Sequence, residues 1–149
     1  MKIAHNVKLS VFSHEEEDDE KIKQALLSLL PFNLEQEKLQ LTRTKATGFR
    51  ERKIIILEIM LTKEKHISKF LKHLKQNLSD DQRRLLLSQV ESRLDKELDF
   101  FIRLDKQKLL NNQFWITDAG NCFHIKLSIA AYPAKREAGL KVVQEWLKQ

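Results

Sequence analysis

The sequence predicts an α+β fold, a two-layer sandwich with a mainly antiparallel sheet and helices on one face. Three observations lead there. Stretches that alternate polar and apolar residues are interleaved with stretches whose apolar residues recur at helical spacing. Paired strand signals are separated by short turns, not by the long crossovers that a parallel sheet requires. The chain has 149 residues, 42% apolar and 32% charged, enough for one α+β domain over 1–149 with its own core. The expected order is β-α-β-β-α-α-β-β-β-α.

Each element has its own signature. Val7, Leu9 and Val11 alternate with Lys8 and Ser10, a half-buried strand. Ser13 followed by Glu16 matches a capping box, so a helix is expected to begin at Ser13. The acids of 15–20 suit the positive end of that helix. Ile22, Ala25, Leu26, Leu29 and Leu30 form its apolar stripe, and Pro31 ends the run. Residues 37–47 alternate again, Gly48 breaks them, and an apolar run follows from Ile54 to Leu61. That is a hairpin whose second strand, rich in isoleucine, is expected inside the sheet. Ile67, Phe70, Leu71, Leu74 and Leu78 make one helical stripe; Leu86, Leu87, Val90, Leu94 and Leu98 make the next. Ser79 with Gln82 is a second capping box between them.

Three strands are expected in the last third. Phe100 to Leu104 is one, followed by a helical turn around Lys106 to Leu110. Phe114 to Thr117 is the second. Asp118-Ala119-Gly120-Asn121 is a hairpin turn by composition. Phe123, Ile125, Leu127 and Ile129 then alternate with His124, Lys126 and Ser128 in the third. Lys135 to Lys148 is a final amphipathic helix.

Composition excludes several classes. Three Gly and two Pro are too few for a collagen-like or disordered chain. No apolar run approaches about 18 residues, so no spanning helix is expected. The first residues lack the apolar block of a secretory signal. One cysteine, Cys122, excludes an internal disulfide framework. The expectation is a soluble cytoplasmic protein with no membrane partner. The net charge is +6, and with the six acids of Glu15–Glu20 set aside the rest carries +12. A basic surface favours polyanions such as nucleic acid.

No phosphate-cradling glycine loop, zinc-protease helix or nucleophile elbow is present. Neither a catalytic set nor a cofactor is expected. Cys122 and His124 lie two apart on a strand and face the same side, but one pair lacks the three or four ligands that zinc needs. His66 and His73 are seven apart on a helix, with no third ligand spaced to join them. Asp95, Glu97, Asp99, Asp105 and Asp118 resemble the acids of a divalent-metal nuclease. They alternate with Arg93, Lys96, Arg103 and Lys106, which reads more simply as solvated surface or ion pairs.

Three basic constellations stand out. Arg43, Lys45, Arg50, Arg52 and Lys53 surround the first hairpin loop with Phe49, a set suited to phosphate contact and stacking. A charged edge hairpin that resists aggregation reads equally well. Arg103, Lys106 and Lys108 form the second group. Lys135 and Arg136 form the third, at a helix N-terminus where positive charge opposes the dipole and a bound phosphate would relieve it.

Residues 80–148 read α-β-β-β-α, the order of the double-stranded-RNA-binding domain (dsRBD). Lys135, Arg136 and Ala138 resemble that domain's basic final helix. Its Gly-Pro and His loop is missing from 105–112. The stretches ESRLDKELDFFIRLDK (91–106) and TDAGNCFHIKLSIAAYPAKRE (117–137) resemble an archaeal RNA-binding family described as predicted exosome subunits with a dsRBD-like fold. LLSLLPF (26–32) and GFRERKIIILE (48–58) are similar too, so the resemblance covers nearly the whole chain. It supplies no catalytic residues. It implies a fold similar to the large-subunit ribosomal protein that holds 5S RNA, and a cytoplasmic protein that binds structured RNA. The expected partners are RNA and exosome or ribosome-associated proteins.

The reading is therefore a non-catalytic RNA-binding protein. The three basic groups would meet phosphates and sugars, with His124 and Lys126 projecting from the sheet beside the last group. The competing reading is a protein–protein adaptor, in which the acidic block and basic remainder dock partners or a second copy as a homodimer.

Overall fold

The computed structural model describes residues 2–149, apart from the side chain of Phe49. The expected stacking role of that ring lies outside the described residues. Among the described residues, five strands form one antiparallel sheet in the order β2-β3-β1-β5-β4. They are β1 (Ala4–His14), β2 (Leu41–Thr47), β3 (Lys53–Leu61), β4 (Asp99–Asp105) and β5 (Cys122–Ile129). The helices are α1 (Asp19–Leu27), α2 (Glu64–Asn77), α3 (Asp80–Ser88), α4 (Val90–Arg93), α5 (Lys106–Leu110) and α6 (Arg136–Lys148). None is long and apolar enough to cross a membrane.

Alternation places the core. Val7, Leu9 and Val11 of β1 are buried beside Leu57, Ile59 and Leu61 of β3. Phe123, Ile125 and Leu127 of β5 and Phe100, Ile102 and Leu104 of β4 continue that side. Ile22, Leu26, Phe70, Leu74, Leu86 and Val143 of the helices are buried in the same core cluster. The two layers follow from that single apolar side. As the isoleucine-rich run predicts, β3 is internal, between β2 and β1. Gly139 lets α6 come close to the segment after α3: a Cβ there would sit 3.1 Å from Leu98 and 3.3 Å from Leu94.

Two expectations are corrected. The first helix does not begin at Ser13. Ser13 is buried in β1, and its hydroxyl donates to Asp19 Oδ1 at 2.6 Å. The helix is capped instead by Asp18, whose carboxylate accepts from the amides of Glu20 and Lys21 at 3.1 and 3.3 Å. Strand alternation simply continues two residues past Val11, and the side chain at Ser13 serves the core side instead of a cap.

Second, Phe114–Thr117 is a single bridge, Ile116 against Leu104, and not a strand. The Asp105 amide donates to the Trp115 carbonyl and the Thr117 amide to the Arg103 carbonyl. The Ile116 amide, however, donates to Gln82 Oε1 at 2.7 Å, a buried bond. That amide lies on the edge of the segment away from β4, where a side chain of α3 satisfies it in place of a further strand. The segment lies against β4, while β5 pairs with β4 and β1, so 118–121 closes no hairpin. Residues 80–148 thus contribute two strands to a shared sheet, not the three successive strands of the dsRBD order.

Candidate nucleic-acid interface

Among the described residues, no helix covers the sheet's second side. Cross-strand partners share a side, so the register gives its rows directly. One row reads Met60, Lys8, Lys126, Phe101; the next reads Glu58, Ser10, His124, Arg103. Phe12 and Ile56 are paired in a third. Phe12, Met60 and Phe101 are 43%, 47% and 38% exposed. Lys8 pairs with Glu58 at 2.8 Å, and Lys126 reaches Asp99 at 3.5 Å. Arg103 donates to the Asp118 carbonyl at 3.1 Å. The His124 ring sits 6.4 Å from that of Phe12. Burial, joined by Arg103 and Lys106 and partly opposed by a bond to Gly120, lowers the His124 pKa. The ring is therefore neutral near pH 7.

The structure brings Arg103, His124 and Lys126 together on this open side. It separates the other groups. In β2, Arg43 and Lys45 are paired with Leu57 and Ile55, which puts them on the helix side of the opposite sheet edge. Arg43 is held by Asp19 at 2.8 Å. Lys45, Arg52 and Lys53 are exposed and make no ion pair among the described residues. Arg50 and Glu51 form the tip, a 3-10 turn over Phe49–Glu51, both with φ of 59°. That left-handed conformation is uncommon for residues other than glycine.

Lys106 is not a surface cation. It is 4% exposed, and its ammonium donates to the Phe12 carbonyl, Glu17 and Asn121. Lys108 lies over the half-exposed Trp115 ring, 4.8 Å from its centre. Lys135 caps α6 without a side-chain bond, and Arg136 donates to the carbonyls of Leu94 and Glu91. The opposed dipole charge thus has an intramolecular partner, the C-terminal end of α4.

Apart from Glu97, the acids that a nuclease would use are similarly occupied. Carboxylate oxygens of Asp95, Glu97 and Asp99 lie within 4.8 Å of one another. Asp95 Oδ1 accepts from the amides of Glu97 and Asp99 at 2.9 Å and so closes the turn into β4. Asp99 also accepts from Ser128. Asp105 caps α5, and Asp118 pairs with Arg93 at 3.1 Å. The two helical histidines are hydrogen-bonded to Glu37 and to the Ser28 carbonyl.

Sequence reasoning missed one basic surface. Lys65, Lys69 and Lys72 are exposed on α2 and make no ion pair among the described residues. Their i, i+4, i+7 spacing, opposite the apolar stripe, was the available signal. It also missed Phe12 and Phe101 as exposed rings, although each stands at a polar phase of its strand.

The family model described as RNA binding matches residues 6–130. This chain belongs to that RNA-binding family. It is 30% identical over 145 residues to the RNA-binding protein PAB1135 of Pyrococcus abyssi, covering 97% of this chain and 94% of that one. Solved structures of relatives agree with the fold. Protein AF2318 from Archaeglobus fulgidus has a TM-score of 0.86 at 32% identity, over 96% of this chain and 99% of that one. Mth689 from Methanothermobacter thermautotrophicus has a TM-score of 0.80 at 26% identity, over 98% and 99%. The family and its archaeal members support RNA as the ligand class.

Proposed function

We propose that this protein binds structured RNA through its sugar-phosphate backbone, as a non-catalytic cytoplasmic component of archaeal RNA processing or degradation, linked to the exosome or to the ribosome. The observation that carries the reading is the set of exposed cations without a carboxylate partner at the β2–β3 hairpin: Lys45, Arg52 and Lys53. A surface cation without a partner meets a phosphate without first breaking an ion pair. Such contacts position an RNA without reading its sequence. Lys108 and Lys135 extend the set, as do Lys65, Lys69 and Lys72. Arg43, Lys106 and Arg136 are engaged within the fold. The relative PAB1135 is itself called an RNA-binding protein, which favours RNA over other polyanions.

Fluorescence anisotropy against a hairpin RNA, a matching single strand and a DNA duplex, across salt and with and without Mg²⁺, tests this. The expected result is preference for the hairpin, intact RNA and a steep salt slope. The triple variant K45E/R52E/K53E should weaken all RNAs alike. Its log–log slope should be shallower by about 0.7–0.9 for each phosphate that the protein no longer neutralises. Unchanged affinity and slope would remove the hairpin from the interface. No RNA binding at low salt, with partner proteins retained after RNase treatment, would favour the adaptor.

A further inference from the structure

We propose that the open side of the sheet is a stacking platform for unpaired nucleotides, so that the preferred ligand is a folded RNA carrying a single-stranded segment. This deepens the RNA-binding reading and rests on it. The carrying observation is the direct cross-strand pairing of Lys8 with Lys126 at the middle of the exposed side. Like charges placed opposite each other destabilise a sheet. Among the described residues each pairs with one outer carboxylate, Glu58 at 2.8 Å or Asp99 at 3.5 Å, and both lysines stand more than 40% exposed, so the pairs are of little strength. An anion above the two ammonium groups relieves both at once.

What flanks the lysines says which anion. Phe101 is paired with Lys126 in the same row, and Phe12 lies along β1 on the other side of His124. Both rings stand more than a third exposed on a sheet face, at positions where strand alternation calls for polar residues. The shallow depression between them has a volume of about 400 Å³. Flat rings beside paired cations suit a chain that alternates bases with phosphates, and stacking on such rings is indifferent to sequence. A duplex hides its base faces and gains nothing from these rings. A second copy of this protein fits poorly: self-association across this side would bring four ammonium groups together, whereas interface centres are depleted of charge.

The test uses the full chain with a blunt hairpin RNA and the same hairpin bearing a single-stranded tail that contains 2-aminopurine. The tail should tighten binding and its fluorescence should be quenched. F12L/F101L keeps apolar bulk but removes the rings. It should lose about 10- to 100-fold in affinity for the tailed RNA, lose the quenching, and bind the blunt hairpin as before. A circular-dichroism melt establishes that this variant is folded, and K8Q gives a second reading through a shallower salt slope for the tailed RNA alone. If the tail adds no affinity while the blunt hairpin still binds, the platform is refuted and the backbone reading stands. If no RNA binds, both fall. If sedimentation shows a dimer that F12L/F101L dissociates, the side belongs to a second copy and the proposal is overturned.

Discussion

The ammonium of Lys106 lies 3.0 Å from the carboxylate of Glu17, joining the acidic turn after β1 to the start of α5 across 89 residues of sequence. The same nitrogen donates to the Phe12 carbonyl at 2.8 Å and to Asn121 at 2.6 Å. Three acceptors for three N–H bonds is full satisfaction for a lysine. Both side chains are well shielded, at 5% and 19% exposure.

Lys106→Met keeps the volume and removes every donor. It takes the ammonium from the Phe12 carbonyl, from Glu17, which keeps the His14 amide, and from the Asn121 oxygen, which keeps the His14 ring. Loss of one partner from a shielded pair should cost about 2–4 kcal/mol of stability. RNA affinity of the folded variant should be unchanged, because this cation meets no ligand. Urea denaturation with parallel anisotropy checks both halves; a stable variant with weakened RNA binding would return Lys106 to the interface.

A pH dependence follows from His66 and Glu37. His66 is fully buried, and its Nε2 donates to Glu37 Oε1 at 3.0 Å. That bond, helped by Lys65 and Lys69 and opposed by desolvation, holds the Glu37 carboxyl below its ordinary value of 4.5. A carboxyl lowered on folding stabilises the protein above its unfolded value, and this is lost as pH falls through the folded one. Glu37→Gln removes that contribution. The urea midpoints of wild type and variant should therefore differ at neutral pH and converge in acid, below the ordinary carboxyl value. A gap that widens on acidification would reverse the assignment.

The fold was legible where one side of an element is apolar. Val7, Leu9 and Val11, or Phe123, Ile125 and Leu127, have one reading because a one-residue shift would expose them all. Legibility failed where a polar side chain chose a distant partner. Ser13 has the spacing of a cap, but its hydroxyl serves Asp19. Ser79 does accept from the Gln82 amide, but the Gln82 side chain reaches Ile116 instead of closing the box. The candidate site divides in the same way. Basic residues are visible in any sequence, yet burial of Lys106 and the carbonyl contacts of Arg136 depend on segments far along the chain. The open side needed the register, since nothing local says that Lys8 stands opposite Lys126.

Cys122 and His124 touch, Sγ to Nε2 at 3.6 Å, so the pair has the proximity that nucleophilic catalysis requires. Its electrostatics run the other way. Burial raises the thiol, against the opposing pull of Arg103, Lys106 and Arg93. Burial also lowers the imidazole. Both shifts favour the uncharged partners, whereas an activated cysteine needs thiolate beside imidazolium. Alkylation of the folded protein by iodoacetamide at mildly alkaline pH should therefore be much slower than in urea, with its rate rising only above the usual thiol range. Cys122→Ser should leave RNA affinity unchanged. Rapid labelling of the native protein, with a midpoint below the usual thiol value, would show that the pair is poised for chemistry after all.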